Sequence, residues 1–416
     1  MTLRGKRARW SLVVTAGLVL AGLSSAPAAA ASDIGYSDQP YVGSSPTGTK
    51  PESKLWWNDG VWWASMATTT KGAFHIFKLD PTAQSWIDTG TPLDTRKNSR
   101  ADCLWDASQQ KLYVASHLRA ADSNKSTSGM PANLYRLSYD SVTKKYTLDS
   151  GFPVAINDVS SETLVIDKDS TGKLWATWTQ LSQVYVNATT TDDLHWGSPF
   201  VPDVSGTSNA PDDISSLISF GPGQIGLMWS NQLTPAMYFA VHLDGDPDGT
   251  WLASTAAVQG PKLADDHVNL KTDSSGRVFA AVKTSATKST AALINLLVRD
   301  PVSGSWTSYV FGRVADHHTR PIVALDEEHG VIHMFATGAT TPNTTGLGTI
   351  YEKSSPIDTI AFPVGEGTPV IQSATDLGID NVTSTKQNVS STTGLVILAS
   401  SDATRRYYHA SIVIAP

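Results

Sequence analysis

Apolar and polar residues alternate along most of this chain with a period of two, in short runs broken by Asp, Ser, Thr, Asn and Gly. That is the pattern of half-buried strands joined by tight turns. The clearest instance runs Asp266-His267-Val268-Asn269-Leu270-Lys271, then Thr272-Asp273-Ser274-Ser275-Gly276-Arg277, then Val278-Phe279-Ala280-Ala281-Val282. A polar start leads into a short strand, a turn follows, and a second apolar strand returns.

The unit recurs every fifty residues or so, roughly the length of one propeller blade. Its other copies begin at Lys54-Leu55-Trp56-Trp57, Asp102-Cys103-Leu104-Trp105, Glu162-Thr163-Leu164-Val165, Asp213-Ile214-Ser215-Ser216, Arg320-Pro321-Ile322-Val323 and Lys386-Gln387-Asn388-Val389. With the copy at Asp266 these make seven. Third strands such as Phe74-His75-Ile76-Phe77 follow, and fourth strands carry an aromatic at Trp86, Trp251 or Trp306. Four antiparallel strands repeated seven times predict an all-β, seven-bladed β-propeller. A helical solenoid is excluded by the period, and a β-sandwich would not repeat one hairpin seven times.

Residues 1–31 read differently. Arg4, Lys6, Arg7 and Arg9 precede an apolar run over 12–23 and then Ala26-Pro27-Ala28-Ala29-Ala30-Ala31. This predicts a secretory signal peptide over 1–31 and one propeller domain over 32–416. The apolar run is short for a membrane span. About 55 residues then fall to each blade. The last copy ends with Tyr407-Tyr408-His409-Ala410-Ser411-Ile412, a third strand, with nothing left for a fourth. The expectation is that residues 34–42 close the ring by pairing outside the last blade, covering its edge.

Composition narrows the partners. Net charge is -7, and removal of the four leader cations takes it to -11, 27 basic against 38 acidic residues. Nucleic acid is therefore not the expected partner. Cys103 is the single cysteine, so no disulfide forms within the chain. A free, exported monomer is expected.

The stretches Asp266-His267-Val268-Asn269-Leu270-Lys271, 276–285, His318-Thr319-Arg320-Pro321-Ile322-Val323 and Thr383-Ser384-Thr385-Lys386-Gln387-Asn388-Val389 resemble a group of secreted bacterial seven-bladed propellers of the sialidase-like, BNR-like kind, few of which have an assigned activity. The resemblance implies the fold over nearly all of residues 32–416. The Ser-x-Asp-x-Gly-x-Thr-Trp turn of sialidase repeats is only approximated by 167–175. Arg100, Arg320, Arg405 and Arg406, with Tyr407 or Tyr408 and Glu162, do not fall into a sialidase pattern closely enough to carry its roles over.

Position in the repeat supplies the candidate site. In a propeller the innermost strands start near the axis on one face, so their first residues converge on one funnel. Here those starts are polar or charged in all seven copies. The expected catalytic set is His267, Asp266, Glu162 and Asp213, with Arg100, Asn269, His318, Arg320, Lys386 and Asn388 holding substrate. Acids, bases and histidines in one cleft suit acid–base chemistry on a polar polymer. The competing expectation is a set of channel charges that only pair with one another.

Two further signals stand in the sequence. Asp244, Asp246 and Asp248 have the spacing that opens a calcium loop, but Thr255 stands where its closing acid belongs, so an ordinary turn is expected and no cofactor. Asp266/His267 and Asp316/His317/His318 could hold a metal only by drawing ligands from several blades. Trp56, Trp57, Trp62 and Trp63 could stack on sugar, but alternation sends most of them into the core.

The chain thus reads as a secreted carbohydrate-active propeller. It would be a glycoside hydrolase or polysaccharide lyase acting on an extracellular polysaccharide, acidic sugars included. The alternatives are a lectin-like binding module and a cell-surface interaction scaffold.

Overall fold

Aspartate side chains organise the turns. Asp273 Oδ1 accepts from the backbone N–H of Ser275 and Arg277, and Asp169 Oδ1 does the same for Thr171 and Lys173. Asp80, Asp106, Asp140 and Asp300 cap their own turns two and three residues on. Such Asx turns reverse the chain locally, which is why the hairpins repeat so regularly. Gly276 at φ 86° and Gly172 at φ 94° take a conformation that a side chain would strain.

The computed structural model describes residues 32–48, 50–341 and 344–416. The expected signal peptide over 1–31 lies outside the described residues. What is described is all-β, with only two short 3₁₀ turns, Ser123–Lys125 and Val314–Asp316. The strands form seven antiparallel sheets, the blades of a seven-bladed propeller, over 55–92, 99–155, 165–188, 215–259, 268–313, 319–372 and 379–412. Each innermost strand packs beside the next around the ring. Parallel bridges Leu55–Thr385 and Asp326–Val389 tie blade seven to blades one and six.

Tyr36–Pro40 is the outermost strand of blade seven, antiparallel to Arg406–Ile412, with Tyr36 opposite His409. Between these strands Asp38 and His409, both buried, make a 2.7 Å contact. Ile34 bridges to Gln372 of blade six.

The core lies between blades rather than at the axis. Trp56, Trp63, Trp105, Tyr139 and Tyr146 pack edge to face or tilted between blades one and two, and Trp56 Nε1 donates to Tyr146 Oη at 2.7 Å. Trp62 is buried with them and Trp57 half-buried, as core packing requires.

Three local expectations need correction. The regular inner strand of blade seven is Ile379–Thr383, upstream of the predicted Lys386–Val389. A register shift after Asp380, with Asn381 at φ 59°, breaks the pairing there. Trp251 falls in the connection before the outer strand of blade four, Thr255–Gln259. Blade three has three regular strands, its outer edge being carried by single bridges such as Val186–Phe200.

Candidate functional site

Residues 41–54, which join the outermost strand of blade seven to blade one, lie across the start of the inner strands as a strap. Thr49 within it lies outside the described residues. On one side Tyr41 Oη and the Ser45 N–H bond to Asp402, and Thr47 Oγ1 to Ser400 Oγ at 2.7 Å. On the other, Glu52 accepts from Lys54 Nζ at 2.5 Å, from the Leu164 N–H at 3.1 Å, and meets His117 Nε2 at 2.7 Å. All three side chains of that Glu52–Lys54–His117 cluster are buried. Burial raises the Glu52 pKa, but the charges of Lys54 and His117 outweigh it and bring the group to about 2.

Lys50 projects from the middle of this strap. Its Nζ lies 3.2 Å from Glu162 Oε1 and also contacts Asp266 Oδ2. Glu162 comes from the start of blade three and Asp266 from the start of blade five. One ammonium thus joins two carboxylates from different sides of the ring.

The wall continues from Asp266. His267 Nδ1 lies 2.7 Å from Asp266 Oδ1 and 2.9 Å from Asp265 Oδ1. Lys283, at the end of the second strand of blade five, reaches Asp265 at 3.1 Å. Arg320, at φ 53°, pairs with Asp380 of blade seven at 3.4 Å. Among the described residues, three buried atoms of this wall have no protein partner: His267 Nε2, Glu162 Oε2 and Asp380 Oδ1. Buried polar atoms are normally bonded, so these mark capacity available to a ligand.

The electrostatics divide the two bridged acids. Burial raises the Glu162 pKa above the usual carboxylate value, and the nearby charge of Asp266 adds to it against Lys50. Burial acts in the same direction on Asp266, but the hydrogen bond and charge of His267, with Lys50, outweigh it and hold Asp266 well below that value. The two acids are thus shifted in opposite directions.

Of the sequence-predicted set, Asp266 and Glu162 meet at Lys50, His267 contacts Asp266, and Arg320 pairs with Asp380. The remaining members are corrected as follows. Asp213 is fully buried and its carboxylate is taken by Ser230 Oγ, the Ala210 N–H and the Gln232 N–H within blade four. Arg100 is buried beneath the strap, donating to Ser99 O and Ser44 O. Asn269 Oδ1 accepts from the Val323 N–H, a rung between blades five and six. His318 is buried between Phe311 and Tyr351, outside the funnel, and burial there brings its pKa to about 4, with Lys353 adding to the effect. Asn388 lies at the opposite end of the inner strand, donating to Thr272 O and Glu327.

Lys386 sits deeper in the channel, 3.0 Å from Asp102 Oδ2. Asp102 also accepts from the N–H of Ser53 and Ile166, and Asp167 from that of Ser219. These acids lace neighbouring blades together. A cavity of about 200 Å³ adjoins them, lined in part by Asp167, Lys386, Ser216 and Cys103.

Sequence reasoning missed Lys50, Lys283 and Asp380. Lys50 lies in a connection with no repeat signal, so nothing in the strand pattern points to it. Lys283 and Asp380 were readable only once the strand register was known.

The other signals resolve locally. Asp244 accepts from Ser170 N–H and Oγ, and Asp248 contacts Lys173, so two of the three aspartates of the calcium-like run are bonded to blade three. Among the described residues, Asp265, Asp266 and His267 bring possible metal-binding atoms within 4.8 Å of one another. Lys50 and Lys283 already supply the positive charge there. The insertion over 117–132 folds onto blades three and four through Ser123, which bonds to Pro211 O and the Leu181 N–H. No described helix is long and apolar enough to cross a membrane.

No protein-family model and no curated protein matches the chain. Solved structures do. An ulvan lyase from a new polysaccharide lyase family is similar at a TM-score of 0.55 and 10% identity, covering 91% of this chain and 96% of its own. A second polysaccharide lyase gives 0.47 at 9% identity over 87% and 90%. An α-L-arabinanase of Penicillium chrysogenum, complexed with arabinobiose, gives 0.46 at 11% over 79% and 99%. At such identity the likeness is one of fold, and the fold this chain shares with the ulvan lyase is the seven-bladed β-propeller.

Proposed function

We propose that this protein is a secreted, monomeric glycoside hydrolase acting on an extracellular polysaccharide, with Glu162 as general acid and Asp266 as nucleophile. The observation that carries this is the pair itself: two carboxylates from different blades meet at one ammonium, with environments that push their pKa values apart. Opposed environments are how acid and base roles are divided between two carboxylic acids.

Two oxygens bonded to one nitrogen lie closer together than the roughly 6.5 Å at which inverting pairs begin, so retention of configuration is the expected outcome. Glu162 gives its proton to the leaving oxygen while Asp266 attacks the anomeric carbon. Glu162, now ionised, then takes a proton from the water that hydrolyses the glycosyl ester. His267 holds Asp266 ionised and oriented from behind. The Lys50 side chain has to swing aside before sugar enters, a movement of one flexible stem rather than of the strap.

A second mechanism has a specific observation in its favour. His267 Nε2 has no protein partner while Nδ1 faces two carboxylates, an arrangement suited to a base that removes a proton beside a carbonyl. The solved neighbours include polysaccharide lyases, for which elimination is the reaction. A panel of polysaccharides, assayed for new reducing ends and for the ultraviolet absorbance of unsaturated products, separates the two. Reducing ends without that absorbance support hydrolysis, and absorbance supports elimination. Binding without either product would leave a lectin-like module.

A further inference from the structure

We propose that the space between Glu162 and Asp266 is an ammonium-binding subsite, and that its external ligand is a polysaccharide carrying free primary amines, of which glucosamine units are the simplest. This rests on the funnel being a carbohydrate site and names the sugar class it takes.

The seat is already filled by an ammonium. Lys50 Nζ touches Glu162 Oε1 and Asp266 Oδ2, with 112 and 216 residues separating it from these partners. Three elements remote in sequence converge to hold one positive group. Glu162 is almost wholly buried, and among the described residues Lys50 is the cation in contact with it.

The charge balance of the wall points the same way. With Lys50 swung out, Glu162, Asp265, Asp266 and Asp380 face His267, Lys283, Arg320 and, at longer range, Arg119. Lys283 and Arg320 are each already placed on an acid. When Lys50 leaves, Glu162 and Asp266 lose the one described cation that contacts both. An incoming sugar ammonium replaces Lys50 like for like and strands no charge. An N-acetylated or acidic sugar brings no cation to that seat and leaves Asp266 without the Lys50 charge, which is discrimination by lost pairing.

The exchange is mechanically easy. The strap is fastened on either side of Lys50, through Tyr41, Ser45 and Thr47 to blade seven and through Glu52 and Ser53 to blades two and three. The lysine can rotate while those bonds stay. Glu162 Oε2, His267 Nε2 and Asp380 Oδ1 remain for ring hydroxyls.

The test measures binding by calorimetry to the full mature chain and to its Lys50→Met variant. The probes are a fully deacetylated glucosamine hexamer and the N-acetylglucosamine hexamer. The expected result is that wild type prefers the deacetylated hexamer at least tenfold, and that Lys50→Met, lacking the internal competitor, binds it a further tenfold more tightly. Equal binding of the two hexamers by wild type overturns the proposal, as does a Lys50→Met protein that gains nothing. If Lys50→Met does not fold, the wild-type selectivity alone decides. Selective binding without chain cleavage keeps the subsite and removes the hydrolase. Cleavage of another polymer without selectivity does the reverse.

Discussion

Lys50 Nζ and Glu162 Oε1 lie 3.2 Å apart across the mouth of the propeller, one on the strap and the other at the start of blade three. The same ammonium also meets Asp266, so the strap is electrostatically latched to the two acids proposed as the catalytic pair. A purely structural ion pair needs one acid. The second acid, and the orphaned atoms around it, turn the contact into a candidate site.

His267 should act on the pH profile rather than on the fold. Its hydrogen bond and charge help to hold Asp266 below the usual carboxylate value. In His267→Ala that support is gone, Asp266 binds its proton at higher pH, and the acidic limb of the activity profile moves up. The melting temperature should stay within a few degrees. An unmoved limb in a well-folded variant would mean that His267 has no hold on Asp266.

Glu52 carries the opposite expectation. It is fully buried between Lys54 and His117 and anchors one side of the strap. Glu52→Gln leaves a buried ammonium without its counter-charge, so about 3–5 kcal/mol of stability should be lost in denaturant unfolding. A loss below about 1 kcal/mol would show that the cluster relaxes without its acid.

Lys271 makes stability depend on pH. Burial, reinforced by Lys386, lowers its pKa from 10.5 to about 7, against the pull of Asp102 and Asp167. Below pH 7 the ammonium is charged in both states and the fold bears the cost of burying it. Between about 7 and 10.5 the folded chain releases a proton that the unfolded chain keeps, so stability rises with pH. The advantage of Lys271→Met over wild type should therefore be largest near pH 6 and shrink toward pH 9. Parallel curves would contradict the lowered value.

The outermost strand of blade seven should be indispensable. Removing residues 34–42 uncovers Arg406–Ile412 as an open edge and leaves His409 without Asp38. Lower stability and aggregation are expected. A truncated chain that melts with the full one would show that the edge needs no cover.

The fold was legible because its signals are local. An Asx turn and a period of two are written within ten residues, and the unit repeats seven times. Blade seven shows where this ends. Ile379-Asp380-Asn381-Val382-Thr383 carries polar residues and a left-handed Asn381, so the period-two signal is broken there.

The site was legible to the extent that position alone decides. His267, Asp266, Glu162 and Arg320 stand at or just before the start of inner strands, beside Lys50 or Asp380. Asp213, Asn269 and His318 occupy the same repeat positions, but their partners are backbone groups, the Ser230 hydroxyl or rings within and between blades. Which way a side chain turns at a strand start depends on tertiary register. Lys50 was invisible for a simpler reason: its connection to the site spans 112 residues and no repeat contains it.

The central claim is that Glu162 and Asp266 form the catalytic pair, and the most direct measurement is reducing-end release by wild type, Glu162→Gln and Asp266→Asn on one polymer. Acid–base groups contribute about 10²–10⁴-fold to rate. Each variant should fall by at least that factor while its melting curve stays close to wild type. Full activity in either folded variant would contradict the account. So would an unsaturated product whose formation needs His267 and neither acid.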